Sequence, residues 1–210
     1  MAVGKLVWQG EIVGIQPRIK LTRSFDERSH TYLGYVLQVQ GEIGEEEGLF
    51  LIGLGKAAQA KHQLQVGDVV SGRSVLVENP QKEPAEYYKT SALKVKQRAA
   101  DRETILPPWH GVPPELEVYQ ERGHRRLSAH TYKSKCQSCI WGCRMAVEII
   151  VDHWNPRQKR YRSETFCYGP LSCSHYKAGL TRKVPGRKGM VWEEENWIDA
   201  QETAHRKPDE

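Results

Sequence analysis

Leu6-Val7-Trp8-Gln9-Gly10-Glu11-Ile12-Val13-Gly14-Ile15-Gln16-Pro17-Arg18-Ile19-Lys20-Leu21 is one long β signal with a change of phase inside it. Leu6, Trp8 and Ile12 share one parity, and Val13, Ile15, Ile19 and Leu21 share the other. Successive side chains of a strand point to opposite faces, so a switch of parity inside an apolar pattern calls for a bulge or a sharp bend. Gly14 lies beside the switch and makes the bend easy. Pro17 cannot donate to a ladder and belongs at an edge or at the bend.

Working outward, Leu33, Tyr35, Leu37 and Val39 alternate in a second strand over about 31–40. Residues 48–54 form a short apolar third strand, and 55–63 favour a short helix by propensity. Val66-Gly67-Asp68-Val69-Val70-Ser71-Gly72 opens a fourth strand running to Val77, and a fifth covers about 87–97. Five strands, the first long and bent, with a helix between the third and fourth, resemble an OB-fold barrel. The Val-Gly-Asp-Val-Val-Ser-Gly segment resembles the common entry into the fourth strand of such domains. The resemblance covers about residues 4–98 and is one of topology.

It implies that ligands meet the face of strands 2–3 and the loops between strands 1–2 and 4–5. The first of these loops holds Arg23, Phe25 and Arg28, flanked by Arg18, Lys20 and Tyr32. Cations interleaved with rings suit a phosphate backbone and stacked bases. The alternative is a solvated loop whose Asp26 and Glu27 pair with its arginines. After this expected barrel (1–98), the paired prolines of Pro107-Pro108-Trp109 and Pro113-Pro114 mark 99–117 as a stiff linker.

All five cysteines fall in 118–190, as Cys136-x2-Cys139-x3-Cys143 and Cys167-x5-Cys173-x-His175. Thiols that merely filled a core would be scattered along the chain. Between the two groups, residues 146–154 alternate, Asn155-Pro156-Arg157-Gln158 reads as a turn, and 159–166 returns as a second strand. A thiol-bearing turn, a β-hairpin and a second thiol-bearing turn resemble a zinc ribbon, in which two turns bring four ligands to one tetrahedral Zn2+. The resemblance implies Cys136, Cys139, Cys167 and Cys173 as ligands, with Cys143 and His175 as alternates. Cys143 is otherwise a buried thiol acting as a small apolar residue. A [4Fe–4S] cluster on Cys136, Cys139, Cys143 and one distant thiol is the rival cofactor. No His-x-Glu or His-Glu-x-x-His spacing occurs, which argues against a catalytic zinc and for a structural one.

Charge is uneven. Residues 151–190 carry nine Lys and Arg against two Asp and Glu, whereas 191–210 carry two against seven. Arg157, Lys159, Arg160, Tyr161 and Arg162 lie on the hairpin, followed by Arg182, Lys183, Arg187 and Lys188. This pattern suits a nucleic-acid surface, the alternative being solvating charges around packed tyrosines. The acidic tail, 191–210, carries Trp192 and Trp197 and is expected to fold back on the basic module, where it would screen positive charge, or to dock on a protein partner. Hydrophobic content of 39% with 27% charge, and no apolar run of about 18 residues, point away from the membrane. The amino terminus lacks a signal-peptide layout and the cysteine count is odd, so a cytoplasmic protein with reduced thiols is expected.

The sequence therefore predicts a mainly β protein, an OB-like barrel followed by a metal-binding hairpin and a short C-terminal helix or tail. The expected role is non-catalytic binding of single-stranded or structured RNA or DNA. The rivals are an iron–sulfur redox protein and a scaffold or accessory subunit of a larger complex.

Overall fold

The computed structural model describes residues 4–24, 28–99, 110–152 and 154–207 of the 210-residue chain. Phe25, Trp109 and most of the expected linker lie outside the described residues. Five strands and a helix come first: β1 (Leu6–Arg23), β2 (Arg28–Ile43), β3 (Glu46–Leu54), α1 (Lys56–His62), β4 (Val69–Leu76) and β5 (Tyr87–Gln97). They close into a ring in the order β1-β2-β3-β5-β4, with β4 returning to β1.

The parity switch in β1 is the hinge of this ring. Trp8 and Ile12 are buried before it, Ile15, Ile19 and Leu21 after it, and the β1–β2 register slips between Ile12 and Gly14. Residues 6–11 of β1 pair with β4; beyond Ile12 that edge leaves β4, and Pro17 stands in the stretch between β1's two partners on that side. A second irregularity lies at Arg18/Ile19, opposite Gly34, whose φ of 133° suits glycine and where a Cβ would stand 2.1 Å from the Leu54 carbonyl. The turn before β4 is tied to the same hinge. Gly67 N–H donates to the Ile12 carbonyl at 2.7 Å, and buried Asp68 accepts from Arg98 at 2.9 Å.

β1 does not end with the ring. Its last residues, Lys20 to Arg23, pair in parallel with β7 (Gly142–Ile150). β7 forms an antiparallel hairpin with β8 (Lys159–Cys167), and β8 pairs with β6 (Arg125–Arg126). One eight-stranded sheet therefore runs through both halves of the chain. Met145, Val147, Ile149, Phe166 and Tyr168 share a buried cluster with Ile15 and Ile19 of the ring, joined by Tyr119 of α2 (Leu116–Arg122). The short α3 (Ala129–Thr131) widens into a π-helical turn, Tyr132–Cys136. A two-stranded pair, β9 (Arg182–Pro185) with β10 (Val191–Glu194), precedes α4 (Asn196–Thr203).

The acidic tail folds back, but it pairs with buried cations. Glu194 Oε2 stands 2.7 Å from Arg23 Nη2, and Glu164 Oε2 3.5 Å from Arg23 Nη1. Arg28 pairs with Glu194 and Glu202, Arg182 and Arg162 with Glu164, and Arg126 with Asp199 at 3.0 Å. Arg23, read from the sequence as a surface cation, is 2% exposed. Its place at the β1–β7 junction, where carboxylates arrive from β8 and β10, explains the difference. His30 and His124 pack edge to face at 4.8 Å beside the same cluster, and His124 also meets Phe166. Burial first, then Arg28 and Arg23, lowers His30 to about 4; burial holds His124 well below the ordinary histidine range.

Two outcomes are expected. Glu194→Ala leaves Arg23 without its closest carboxylate and should cost roughly 3–5 kcal/mol, since breaking a buried pair strands the remaining charge. Urea unfolding checks this, and a loss under ~1 kcal/mol would show that the pair is dispensable. For the histidines, the unfolded chain takes up protons near 6.5 while folded His30 resists until about 4. Between those values the unfolded state binds more protons, so stability falls as pH falls through the window. His30→Gln should flatten part of that slope in urea midpoints measured across it, and equal slopes would remove His30 from the account.

Candidate metal centre and basic surface

The first thiol turn follows directly from the π-helical turn. Cys139 N–H donates to the Cys136 carbonyl at 3.2 Å, and Gly142 N–H to the Cys139 carbonyl at 3.0 Å. This double turn reverses the chain into β7. The second begins where β8 ends at Cys167, beside Gly142 across the hairpin. Cys173 N–H donates to the Pro170 carbonyl at 3.2 Å, and Tyr176 N–H to the Cys173 carbonyl at 3.1 Å. Cys136, Cys139, Cys167, Cys173 and His175 all line one cavity of about 290 Å3 with Trp141, Gly169 and Tyr176. None of the five cysteines is in a disulfide.

Cys143 is elsewhere. It is fully buried in the shared core, and its thiol donates to the Pro17 carbonyl at 3.4 Å. The structure thus gathers the four thiols and His175 at one cavity and sets Cys143 apart.

The donor set suits a thiophilic cation. Gly169 N–H points at Cys167 Sγ, 3.3 Å away, and the Trp141 and Gly142 N–H groups face the Cys139 thiol. Backbone donors aimed at sulfur stabilise a thiolate. Arg125 adds a cation beside Cys167 while stacking on the Tyr176 ring at 3.8 Å. Burial first, then neighbouring thiols, raises Cys136 to about 11; burial outweighs the backbone donors and raises Cys139 to about 12. Among the described residues, no group of three or more His, Cys, Asp or Glu stands together at the spacing of a formed metal site. The thiols line the wall of the cavity.

Gln16 carries no motif that marks it in the sequence. It leaves β1 next to Pro17, is 4% exposed, and donates through Nε2 to the carbonyls of Cys136 at 2.8 Å and Cys139 at 2.9 Å. Its Oε1 accepts from Tyr132 Oη at 2.6 Å. Gln38 of β2 donates to the Gln137 carbonyl. The ring thereby grips the first thiol turn by its backbone. No spacing rule links residues 120 positions apart, so these bonds leave no signature in the sequence.

The expected nucleic-acid residues divide into two groups. Arg18 is held by Glu83 through bonds of 2.7 and 2.6 Å, Lys159 by Glu148 at 2.7 Å, and Tyr161 donates to Glu148 at 3.1 Å. Arg23 and Arg28 belong to the buried charge cluster, and Lys20 and Tyr32 are half-buried. Arg157, Arg160, Lys183, Arg187 and Lys188 are exposed. Arg187 stands 3.9 Å from Asp152, which places its turn against the loop that joins β7 to β8. Trp154, which no sequence pattern distinguishes from a core indole, is 84% exposed in that loop. No helix of the described residues is long and apolar enough to cross a membrane. No family model, curated protein or solved structure matches the chain.

Serine at Cys136, Cys139, Cys167 or Cys173 should each reduce bound metal, read by elemental analysis of the purified protein. Cys143→Ser should retain the metal and lower only stability. Gln16→Leu should weaken metal affinity about 10–100-fold, as loss of an outer partner does. Full metal content with any two of the four serines, or metal loss in Cys143→Ser alone, would reassign the ligands.

Proposed function

We propose that this protein binds single-stranded or structured nucleic acid without chemistry of its own, through an OB-like barrel joined to a zinc-ribbon-like module. The ring order β1-β2-β3-β5-β4, with α1 between β3 and β4, supports the first part of that reading. For the second, Cys136, Cys139, Cys167 and Cys173 would hold one Zn2+, which would bind the two turns together. An all-thiolate tetrahedral site leaves no open position, so the metal would be structural. The placement of Cys143 in the core favours zinc over an iron–sulfur cluster built on the 136–139–143 spacing.

The observation that carries the nucleic-acid reading is the loop end of the β7–β8 hairpin. There an 84%-exposed indole, Trp154, stands with exposed Arg157 and Arg160 and the exposed Arg187–Lys188 turn. Exposing a tryptophan this fully forgoes the free energy of burying it. Among cations it becomes a stacking platform for an unpaired base, with guanidinium and ammonium groups for the adjoining phosphates.

Fluorescence anisotropy of a labelled single strand over a range of salt tests this. Arg157→Ala with Arg160→Ala should lower the slope of log affinity against log salt by about 0.7 for each phosphate no longer neutralised. Trp154→Ala should cost about 1–3 kcal/mol if it stacks one base. An unchanged slope, or no binding by the unaltered protein, would overturn the assignment.

A further inference from the structure

We propose that a second surface, the groove between 128–137 and 178–183, seats the phosphodiester backbone of the same single strand, with the metal-binding turn as one of its walls. This deepens the nucleic-acid reading and rests on it. The groove encloses about 790 Å3. Its cations are Lys133, Arg144, Arg162, Arg182 and Lys183, against one carboxylate, Glu164. Glu164 is only 3% exposed and is already shared by Arg23, Arg162 and Arg182. The surface offered to a ligand is therefore positive.

Its guanidinium groups are fixed in advance. Arg144 Nη2 donates to the Pro84 carbonyl at 2.8 Å, Arg162 Nη1 to the Lys183 carbonyl at 2.8 Å, and Arg182 Nη2 to the Thr165 carbonyl at 2.8 Å. Arg182 also lies over the Phe166 ring at 4.3 Å. Pre-set arginines lose less side-chain entropy when a phosphate arrives. Lys133 and Lys183 are exposed on opposite walls and supply mobile charge. Leu180, 90% exposed on the rim, gives an apolar surface for a base. A row of cations with an apolar rim fits a phosphate chain carrying bases better than it fits a compact anion.

Two features join the groove to its surroundings. Arg160 and Arg162 share a face of β8, so a strand stacked at the hairpin end can continue into the groove. Tyr132, Lys133 and Gln137 flank Cys136 and form the groove wall, while Leu127 lines both the groove and the thiol cavity. A metal held by the thiol turns would fix the position of that wall.

The test uses the full-length protein, a labelled 12-nucleotide thymidine strand, and tripolyphosphate as a competitor. Lys133→Glu with Lys183→Glu should weaken strand binding at least tenfold and reduce the salt slope, and the paired glutamine variants should weaken it less in the same direction. Chelating the metal should reproduce the loss, and photocrosslinks should map to 178–183 as well as to the hairpin end. Unchanged affinity in both lysine pairs, or crosslinks confined to 154–160, would overturn the groove while leaving the hairpin reading intact. Displacement of the strand by equimolar tripolyphosphate would also overturn it, in favour of a small polyphosphate. No binding of the strand by the unaltered protein would sink the nucleic-acid reading itself.

Discussion

The architecture depends on one strand having partners on both edges along its length. β1 pairs with β2 over nearly its whole extent, while its other edge serves β4 at one end and β7 at the other. Each backbone group buried between these partners needs a hydrogen bond, so the position of β7 is dictated by where β4 stops. The bulge at Ile12/Gly14 makes this exchange possible by turning the strand away from β4 while its apolar side chains stay in the core. The hairpin that delivers both thiol turns is thus anchored to the first strand of the ring and does not depend on a core of its own.

That anchoring places charge in the interior. Arg23, the last residue of β1, ends between Glu164 of β8 and Glu194 of β10. Burying a guanidinium is costly unless carboxylates accompany it. The acidic tail answers this requirement with Glu194, Asp199 and Glu202, which pair with Arg23, Arg126 and Arg28. These pairs join the ring, the hairpin and α4, and burial disfavours charge on His30 and His124 beside them. The paired cations are thereby withdrawn from the surface, whereas Arg157, Arg160, Lys183, Arg187 and Lys188 remain exposed.

The thiol-lined cavity shows the same dependence on β1. Gln16 and Gln38 bind carbonyls of the 136–139 turn, so the ring orients one pair of thiols while β8 delivers the other. Cys143 lies one strand position past Gly142 and its side chain enters the core, against Pro17. The clustering of five thiols in the sequence is a sound guide to the cavity, but spacing alone does not separate the core thiol from the other four. That separation follows from the start of β7 at Gly142, which turns the next side chain inward.

By itself, the sequence determined the strands and their faces. Alternation of apolar residues is set by local backbone geometry, and it located β1 to β5, α1 and β8 near their observed bounds, including the parity switch at Gly14. β7, by contrast, runs over Gly142–Ile150, four residues earlier than the alternation of 146–154 suggests, because its pairing with β8 starts at Gly142 opposite Cys167. It also determined that two thiol-bearing turns flank one hairpin. Tertiary structure decided which groups meet. The parallel β1–β7 pairing, the Gln16 hydrogen bonds, the burial of Arg23 and the exposure of Trp154 all depend on residues far apart in the chain. Charge and aromatic counts could not tell a buried arginine from a surface one, because the partners that bury it arrive only when β1 has taken β7 on its free edge.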